Sequence, residues 1–179
     1  MKIVSVKDYV QGGIRNDKGN LTHNQVLVLE NVFSGGRIEA DGKITRDLDR
    51  DKYEVAIPND SYDLTEYEGG RGWLKVDPID ESRYDDHHQG FKNADGETRN
   101  GYRFHLGGLS HGCITVGDPN GERKGEWGVV GNILENTSKT EVPKREGMQK
   151  YIPGTTRLKY GTIKVIGNDR VKEVKREQQ

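Results

Sequence analysis

The segment at positions 104–116 holds the residues of this chain that are best suited to covalent chemistry. It reads FHLGGLSHGCITV and contains the single cysteine of the sequence, Cys113, preceded by His105 and His111. A thiol attacks a carbonyl carbon as its thiolate, so a catalytic cysteine needs an imidazole or a positive charge nearby to lower its pKa. The segment therefore predicts Cys113 as a nucleophile, against the alternative of the small buried hydrophobe that a lone cysteine usually is.

Each neighbour of Cys113 has a predicted role in this chemistry. His105 is the predicted general base, although a strand histidine satisfied by the backbone has the same pattern. His111 precedes Cys113 by two residues, which in an extended segment places both side chains on one face, where His111 tunes the thiol or contacts substrate. Ser110 either bonds to an imidazole or forms the turn. Gly112 permits a backbone conformation in which the amides of Gly112 and Cys113 form an oxyanion hole.

Residues on the amino-terminal side of the segment are candidates for binding substrate. Arg103 precedes His105 by two residues and shares its strand face, where a guanidinium can hold a peptide carboxylate with two hydrogen bonds. A solvated surface arginine is an equally open interpretation of Arg103. Tyr102 and Gly108 complete the predicted substrate-binding set.

The run Ser110-His111-Gly112-Cys113, with a histidine upstream, resembles the signature of L,D-transpeptidases, the YkuD-like cysteine enzymes that act on peptidoglycan. Four residues separate His105 from Ser110 here, fewer than in most members of that family. This compact spacing is similar to that of the type VI secretion L,D-transpeptidase effectors, which are exported antibacterial toxins. Segments 133–143 and 158–165 resemble the helix with its exit loop and the closing strand of that group, so the likeness covers roughly residues 50 to 166.

The resemblance implies a reaction on the tetrapeptide stem of peptidoglycan. The Cys113 thiolate would attack the carbonyl between meso-diaminopimelate and D-alanine, release D-alanine and leave a thioester. Water then gives L,D-carboxypeptidase activity, whereas an amine gives exchange or a 3-3 cross-link. The resemblance implies no metal or organic cofactor, secretion to the periplasm of a target bacterium, and a cognate immunity protein if the chain is an effector.

Two other functions stay open from the sequence. The same cysteine and histidine pair can serve a cysteine amidase or peptidase that acts on another peptide bond. The chain can also be a non-catalytic wall-binding or structural module that keeps the motif as a turn. The short spacing between His105 and Ser110 favours this last interpretation, because it can hold the imidazole out of reach of the sulfur.

The composition limits the class of protein. A chain of 179 residues has the length of one domain, and a net charge of -1 disfavours nucleic-acid binding. Residues 1–10 alternate between apolar and polar types, which predicts a first strand and not a signal peptide. No run approaches the roughly 18 apolar residues that span a bilayer. Because peptidoglycan lies outside the cytoplasm, we expect export by a dedicated secretion machine or release by lysis.

The patterning predicts a mainly β, β-rich α+β fold, with a curved sheet or sandwich and one packed helix. We expect N-terminal strands over residues 1–50, a long surface loop over 80–100, a helix over 127–136 and a charged tail over 168–179. Further strands are predicted at the positions listed here: 25–33, a hairpin of 37–40 with 43–45 around a type I′ turn, 52–57, 73–78, 102–106 and 159–166.

Three weaker motifs predict no site. Residues 85–88, with two aspartates and two histidines, lie in a polar loop without further ligands to complete a tetrahedral metal set, so they are predicted to be solvated. The aspartates of 47–51 are not followed by the glycine and glutamate of a calcium loop. The glycine pairs at 69–70 and 107–108 lack the context of a phosphate loop.

Overall fold

The computed structural model of the protein describes residues 32–47, 52–93, 95–122, 124–146 and 152–166. These residues form ten strands and one helix. The elements are β1 (Val32–Ile38), β2 (Ile44–Thr45), β3 (Ser61–Glu66), β4 (Leu74–Pro78), β5 (His87–Lys92), β6 (Thr98–Asn100), β7 (Arg103–Gly107), β8 (Leu109–Gly117), α1 (Lys124–Glu135), β9 (Thr140–Pro143) and β10 (Thr156–Lys164).

Eight of the strands form one large mixed sheet in the order β2-β1-β8-β7-β4-β3-β10-β9. Its pairs are antiparallel except for β7 and β8, which are parallel. Strands β5 and β6 form a separate antiparallel pair. The predicted fold class, mainly β with one helix, is confirmed.

One face of the large sheet is apolar, and side chains of the helix pack on it. Phe104 on β7 packs edge to face against Trp127 of α1, with ring centroids 5.1 Å apart. Val130 of the helix is buried in the same cluster. The other buried members of this cluster are Val32, Ile57, Tyr62, Leu64, Leu74, Val76, Tyr102, Ile114, Val116, Ile163 and Val165.

The opposite face of the sheet is polar, because alternate residues of a strand point to opposite sides. Phe104, Ile114 and Val116 belong to the apolar cluster. The polar side therefore carries their neighbours in β7 and β8, which are Arg103, His105, Cys113 and Thr115. Cα register places Arg103 beside Lys75 of β4, and Phe104 beside Ile114 of β8. Cys113, one residue before Ile114, accordingly lies next to Arg103.

The parallel pairing of β7 and β8 requires a sharp change in chain direction. Only Gly108 separates the two strands, whereas parallel neighbours usually need a connection of a dozen or more residues. The chain returns toward the start of β7 within the first half of β8. Gly112, with φ of 86°, lies in this returning section, just before Cys113.

Several predicted elements are confirmed at nearly the expected bounds. Strand 73–78 corresponds to β4, strand 102–106 to β7, and strand 159–166 overlaps β10. The predicted helix is α1 and begins three residues earlier, at Lys124. The hairpin of β1 and β2 forms as well, with Ile38 paired to Ile44, but its loop covers the residues from 39 to 43 and is not a two-residue type I′ turn.

Other expectations were wrong. Residues 80–100 are not one long loop, since they contain β5 and β6. Segment 52–57 is not a strand, because its backbone groups bond to side chains: Ile57 N–H donates to Ser34 Oγ (2.7 Å) and Tyr53 C=O accepts from Arg99. Of the predicted strand 25–33, positions 25–31 lie outside the described residues. Positions 32 and 33 begin β1, which continues to Ile38.

Candidate active site

The polar face of the sheet buries charged side chains to an unusual degree. Asp63 and Asp77 are 0% exposed, and Lys75 and Arg157 are each 3% exposed. Burying charges is costly unless each finds a partner, so such a layer contributes little to stability compared with an apolar one. Here the charges pair with one another, for example Arg157 Nη2 with Asp77 Oδ1 at 3.3 Å. A paired, buried polar layer next to a half-buried cysteine marks this face as the candidate active site.

Arg103 is fixed beside Cys113 by the carboxylate of Asp86. The guanidinium donates to both Asp86 oxygens, at 2.9 and 3.1 Å, and its charge lies 4.8 Å from the centre of the Tyr67 ring. Asp86 also pairs with Lys75 Nζ at 3.3 Å. Its φ of 68° lies in the left-handed region that non-glycine residues rarely adopt. The loop before β5 thus holds a strained conformation that brings Asp86 onto two cations.

Cys113 is a free, half-buried thiol. Burial raises its pKa above the ordinary value, while the Arg103 backbone N–H and the charges of Arg103 and Arg99 act in the opposite direction. Asp86 adds to the rise. The resting side chain is therefore the neutral thiol at pH 7, with positive charges close by that favour the thiolate once a base takes the proton.

His105 is buried and both of its ring nitrogens are engaged. Nδ1 lies 3.1 Å from the carbonyl of Leu106, and Nε2 lies 3.1 Å from Thr115 Oγ1. Because a carbonyl only accepts, Nδ1 carries the proton and Nε2 accepts from the Thr115 hydroxyl. Burial lowers the pKa of His105, against the opposite effect of the Leu106 carbonyl, so the ring is neutral. Trp73 covers it, with ring centroids 4.7 Å apart.

The predicted catalytic pair lies on one face of the sheet without a direct hydrogen bond. Register places His105 opposite Thr115, and Cys113 is two residues before Thr115 on the same strand face. Two residues along a strand span roughly 6.6 Å. Within the described residues the His105 nitrogens bond to Leu106 and Thr115, not to the thiol. Catalytic hydrogen bonds are often long before substrate binds, so this geometry is compatible with a dyad that closes later.

Gly112 occupies a position that only glycine suits. Its φ is 86°, and a Cβ there would lie 2.5 Å from Arg99 Nη2 and 2.9 Å from the Val55 carbonyl. Ser110 is buried close by, where its hydroxyl donates to the Cys113 carbonyl (2.7 Å) and accepts from the Gly35 N–H (2.9 Å). The first of these bonds lies within β8 and the second joins β8 to β1, so the hydroxyl makes structural contacts here, while its catalytic role stays a prediction.

The other three predicted site residues have different surroundings in the structure. His111 is exposed, with its ring centre 6.5 Å from that of Tyr53; the shared face with Cys113 assumed a regular strand, which Gly112 interrupts. Tyr102 is 1% exposed in the apolar core, where a Cβ on Gly112 would lie 3.1 Å from its Cε1, and its role in substrate binding stays a prediction. The Gly108 carbonyl accepts from Ile38 N–H at 2.9 Å, which joins the connection to β1.

A charged pocket lies beside Arg103 on the polar face. It contains both cations and anions, which makes it suited to a ligand that itself carries charges of both signs. The residues that line it are Glu66, Tyr67, Glu68, Gly69, Lys75, Arg103, Lys144, Glu146 and Arg157. In the part of the chain that the structure describes, no group of three or more histidine, cysteine, aspartate or glutamate side chains is arranged to hold a metal ion.

The sequence did not identify most of this pocket. Asp86 was placed in a solvated loop, yet its side chain is only 16% exposed and pairs with Arg103. The alternation of Leu74, Lys75, Val76 and Asp77 was a usable signal, since it puts two charges on one strand face. It does not reveal that loops bury that face.

No protein-family model, curated protein or solved structure matches this chain. Within the described ranges, no helix is long and apolar enough to cross a membrane. The function is therefore inferred from the site and the sequence motif.

Proposed function

We propose that this protein is a cysteine-dependent peptidoglycan-modifying enzyme, which cleaves or exchanges the terminal D-alanine of tetrapeptide stems. The observation that carries the proposal is the position of Cys113, which lies on the same sheet face as His105 and next to Arg103, a residue that lines the charged pocket. The resemblance of residues 105–113 to the L,D-transpeptidase signature supplies the substrate class. This activity is that of an L,D-carboxypeptidase or L,D-transpeptidase.

In the proposed reaction, His105 exchanges its hydrogen bond from Thr115 for the thiol proton of Cys113. The thiolate attacks the carbonyl carbon between meso-diaminopimelate and D-alanine, and the amides of Gly112 and Cys113 receive the oxyanion. The C–N bond then breaks, and the imidazolium gives its proton to the departing amine of D-alanine. Water or a second amine attacks the thioester, returns a proton through His105 and restores the thiol.

The charges of the site support a peptide ligand of this type. A stem peptide carries free carboxylates and, on diaminopimelate, an ammonium group. Arg103 lies next to Cys113 and presents a guanidinium, while Glu66 and Glu68 contribute negative charge to the same pocket. A ligand with charges of both signs is favoured over a neutral one.

The proposed role as an exported antibacterial effector, with a cognate immunity protein, has its support in the sequence resemblance alone. An enzyme with this substrate acts outside the cytoplasm. We therefore propose delivery to the periplasm of a target bacterium.

The hydrogen bond between Thr115 and His105 favours a second candidate, a non-catalytic wall-binding module. In this alternative the imidazole stays bound to Thr115, and the thiol stays neutral because burial raises its pKa. Such a protein would bind peptidoglycan without changing it.

Mass analysis of peptidoglycan fragments separates these candidates. Purified tetrapeptide fragments are incubated with the wild-type protein and with Cys113→Ala. We expect loss or exchange of the terminal D-alanine with the wild type only. Cleavage at another bond would instead indicate a cysteine amidase or peptidase, and fragments that bind the protein but stay unchanged would indicate the non-catalytic module.

A further inference from the structure

Glu146 places its carboxylate on two buried cations of the charged pocket. It is hydrogen-bonded to Lys75 Nζ and to Arg157 Nη1, the latter at 2.6 Å. The side chains of Lys75 and Arg157 are 3% and 1% exposed, whereas that of Glu146 is 24% exposed. The two cations belong to the interior of the protein, and the carboxylate reaches them from the surface.

The cations have other partners that fix them independently of Glu146. Arg157 Nη2 bonds to the Tyr84 carbonyl (2.9 Å) and to Asp77 (3.3 Å), and Lys75 pairs with Asp86 at 3.3 Å. A site preserved in this way keeps its geometry when the carboxylate that fills it leaves.

The guanidinium of Arg157 also has unused capacity for hydrogen bonding. Arg157 lines the pocket, and its Nε is buried without a hydrogen-bond partner among the residues described. A buried donor of this kind is costly to leave unpaired. Glu146 bonds to Nη1, so among the described residues the present occupant of the site leaves the hydrogen-bonding capacity of the guanidinium incompletely used.

Glu146 itself lies outside regular secondary structure, after the end of β9. The residues before it are attached by backbone hydrogen bonds from Lys144 to Thr155 and from Arg145 to Tyr84. Rotation of one side chain is therefore enough to clear the cations, without breaking the sheet. The pocket that would open also contains Arg103, which lies next to Cys113.

We propose that Lys75 and Arg157 form a binding site for the free carboxylate of a short peptide, and that Glu146 occupies this site until the peptide displaces it. The carboxylate of Glu146 is then an internal competitor. That the bound peptide is presented to Cys113 rests on the proposed function, whereas the binding itself does not.

The test compares two glutamates of the same pocket. Glu146→Gln removes the competing charge with little change in shape. Glu68→Gln is the matched control, because it removes the same charge from the same pocket, through an exposed side chain (58%) that pairs with the buried Lys144 and not with Lys75 or Arg157. The probe is N-acetylalanine, with N-acetylalaninamide as its neutral counterpart, and binding to the full chain is measured by amide chemical shifts in NMR titrations.

We expect Glu146→Gln to bind N-acetylalanine at least tenfold more tightly than the wild type and Glu68→Gln do. N-acetylalaninamide should bind to none of the three proteins. Equal affinity of all three proteins for N-acetylalanine would overturn the proposal. So would an equal gain in Glu68→Gln, or binding of the neutral amide as tight as that of the acid.

A measurement on the wild type covers the case in which Glu146→Gln does not fold. Saturating N-acetylalanine should shift the backbone amide resonances of Arg145 and Glu146, because it displaces the Glu146 side chain. N-acetylalaninamide should leave these resonances unchanged. Unchanged resonances at saturation would overturn the proposal. The same titrations in Cys113→Ala should give the same result, so binding without turnover would refute the proposed reaction and leave the carboxylate site standing.

Discussion

The two faces of the large sheet are both covered by other parts of the chain, but they differ in chemistry. On one face Phe104, Ile114 and their neighbours pack against the helix, where each buried apolar side chain contributes about 1.5–3 kcal/mol. On the other face Lys75 and Asp77 are as deeply buried, although burial of charge opposes folding. The apolar face therefore stabilises the fold, whereas the polar face, which lowers stability, is where we propose that the chemistry takes place.

Two adjacent residues of β8 lie on opposite faces of the sheet, so the difference between the faces can be tested by substitution. Cys113 lies on the polar face and Ile114 on the apolar face. If the division is correct, changes at these two positions affect different properties of the protein.

The largest expected effect is on activity. Cys113→Ala should abolish release or exchange of D-alanine, because no thiolate is left to form the thioester. The free energy of unfolding should change by less than about 1 kcal/mol, since one small group is replaced by another in a half-buried site. The measurements are product analysis and urea unfolding. Residual wild-type turnover in this variant would remove Cys113 from the mechanism.

The largest expected effect on stability comes from the next residue. Ile114→Ala should lower the free energy of unfolding by about 2–5 kcal/mol, because it leaves a cavity in the apolar cluster at a position that is 0% exposed. Urea unfolding measures this loss, and Ile114→Val serves as the milder control with about 0.5–1.5 kcal/mol. A stability equal to the wild type would show that Ile114 is not buried in the apolar cluster as described.

Ser110→Ala tests whether the serine of the motif is structural. Its hydroxyl makes two buried hydrogen bonds, so we expect a loss of about 1–3 kcal/mol in unfolding free energy from the unsatisfied Gly35 N–H and Cys113 carbonyl. Activity per folded molecule should be largely kept. A folded variant without activity would instead give Ser110 a direct catalytic role.

Asp86→Asn should make Cys113 more reactive. Asp86 contributes to the raised pKa of the thiol, so removing its charge should lower that pKa and move the alkylation profile toward lower pH. The rate of iodoacetamide modification, followed across pH, gives the midpoint. Glu68→Gln, which removes an exposed charge from the pocket beside Arg103, is the control. A midpoint that does not move, or that moves upward, would contradict the electrostatic description of the site.

The smallest expected effect is on the pH dependence of stability. Burial lowers the pKa of His105 in the folded protein below its ordinary value of 6.5. The unfolded chain therefore binds the proton first, and stability is lost as pH falls below about 6.5 toward the folded pKa. Between pH 7 and 5, the free energy of unfolding measured with urea should therefore fall less in His105→Gln than in the wild type. An identical slope in both proteins would mean that His105 is not buried as a neutral ring.

The sequence predicted the fold class and the elements with strong local signals. Strand β4 alternates apolar and charged residues, and the helix α1 repeats apolar residues at helical spacing, so both were found. Strand β5 was missed because it is polar and largely exposed, without the apolar alternation that identifies a strand. The parallel pairing of β7 and β8 was also missed, since nothing local to Gly108 encodes it.

The candidate site was predicted only where its residues are close in sequence. Cys113, Gly112 and His105 belong to one segment, and their residue types indicate the chemistry. Lys75 and Glu146 are 71 positions apart, and Asp77 and Arg157 are 80 positions apart. Such pairs are formed by strand order and loop coverage, which a single sequence does not display.

The thioester at Cys113 is tested most directly by the mass of the intact protein after rapid mixing with a tetrapeptide stem. We expect a transient increase equal to the tripeptide acyl group, located on Cys113 and absent from Cys113→Ala. An unmodified mass throughout, from a folded protein whose Cys113 still reacts with iodoacetamide, would contradict the proposed thioester mechanism.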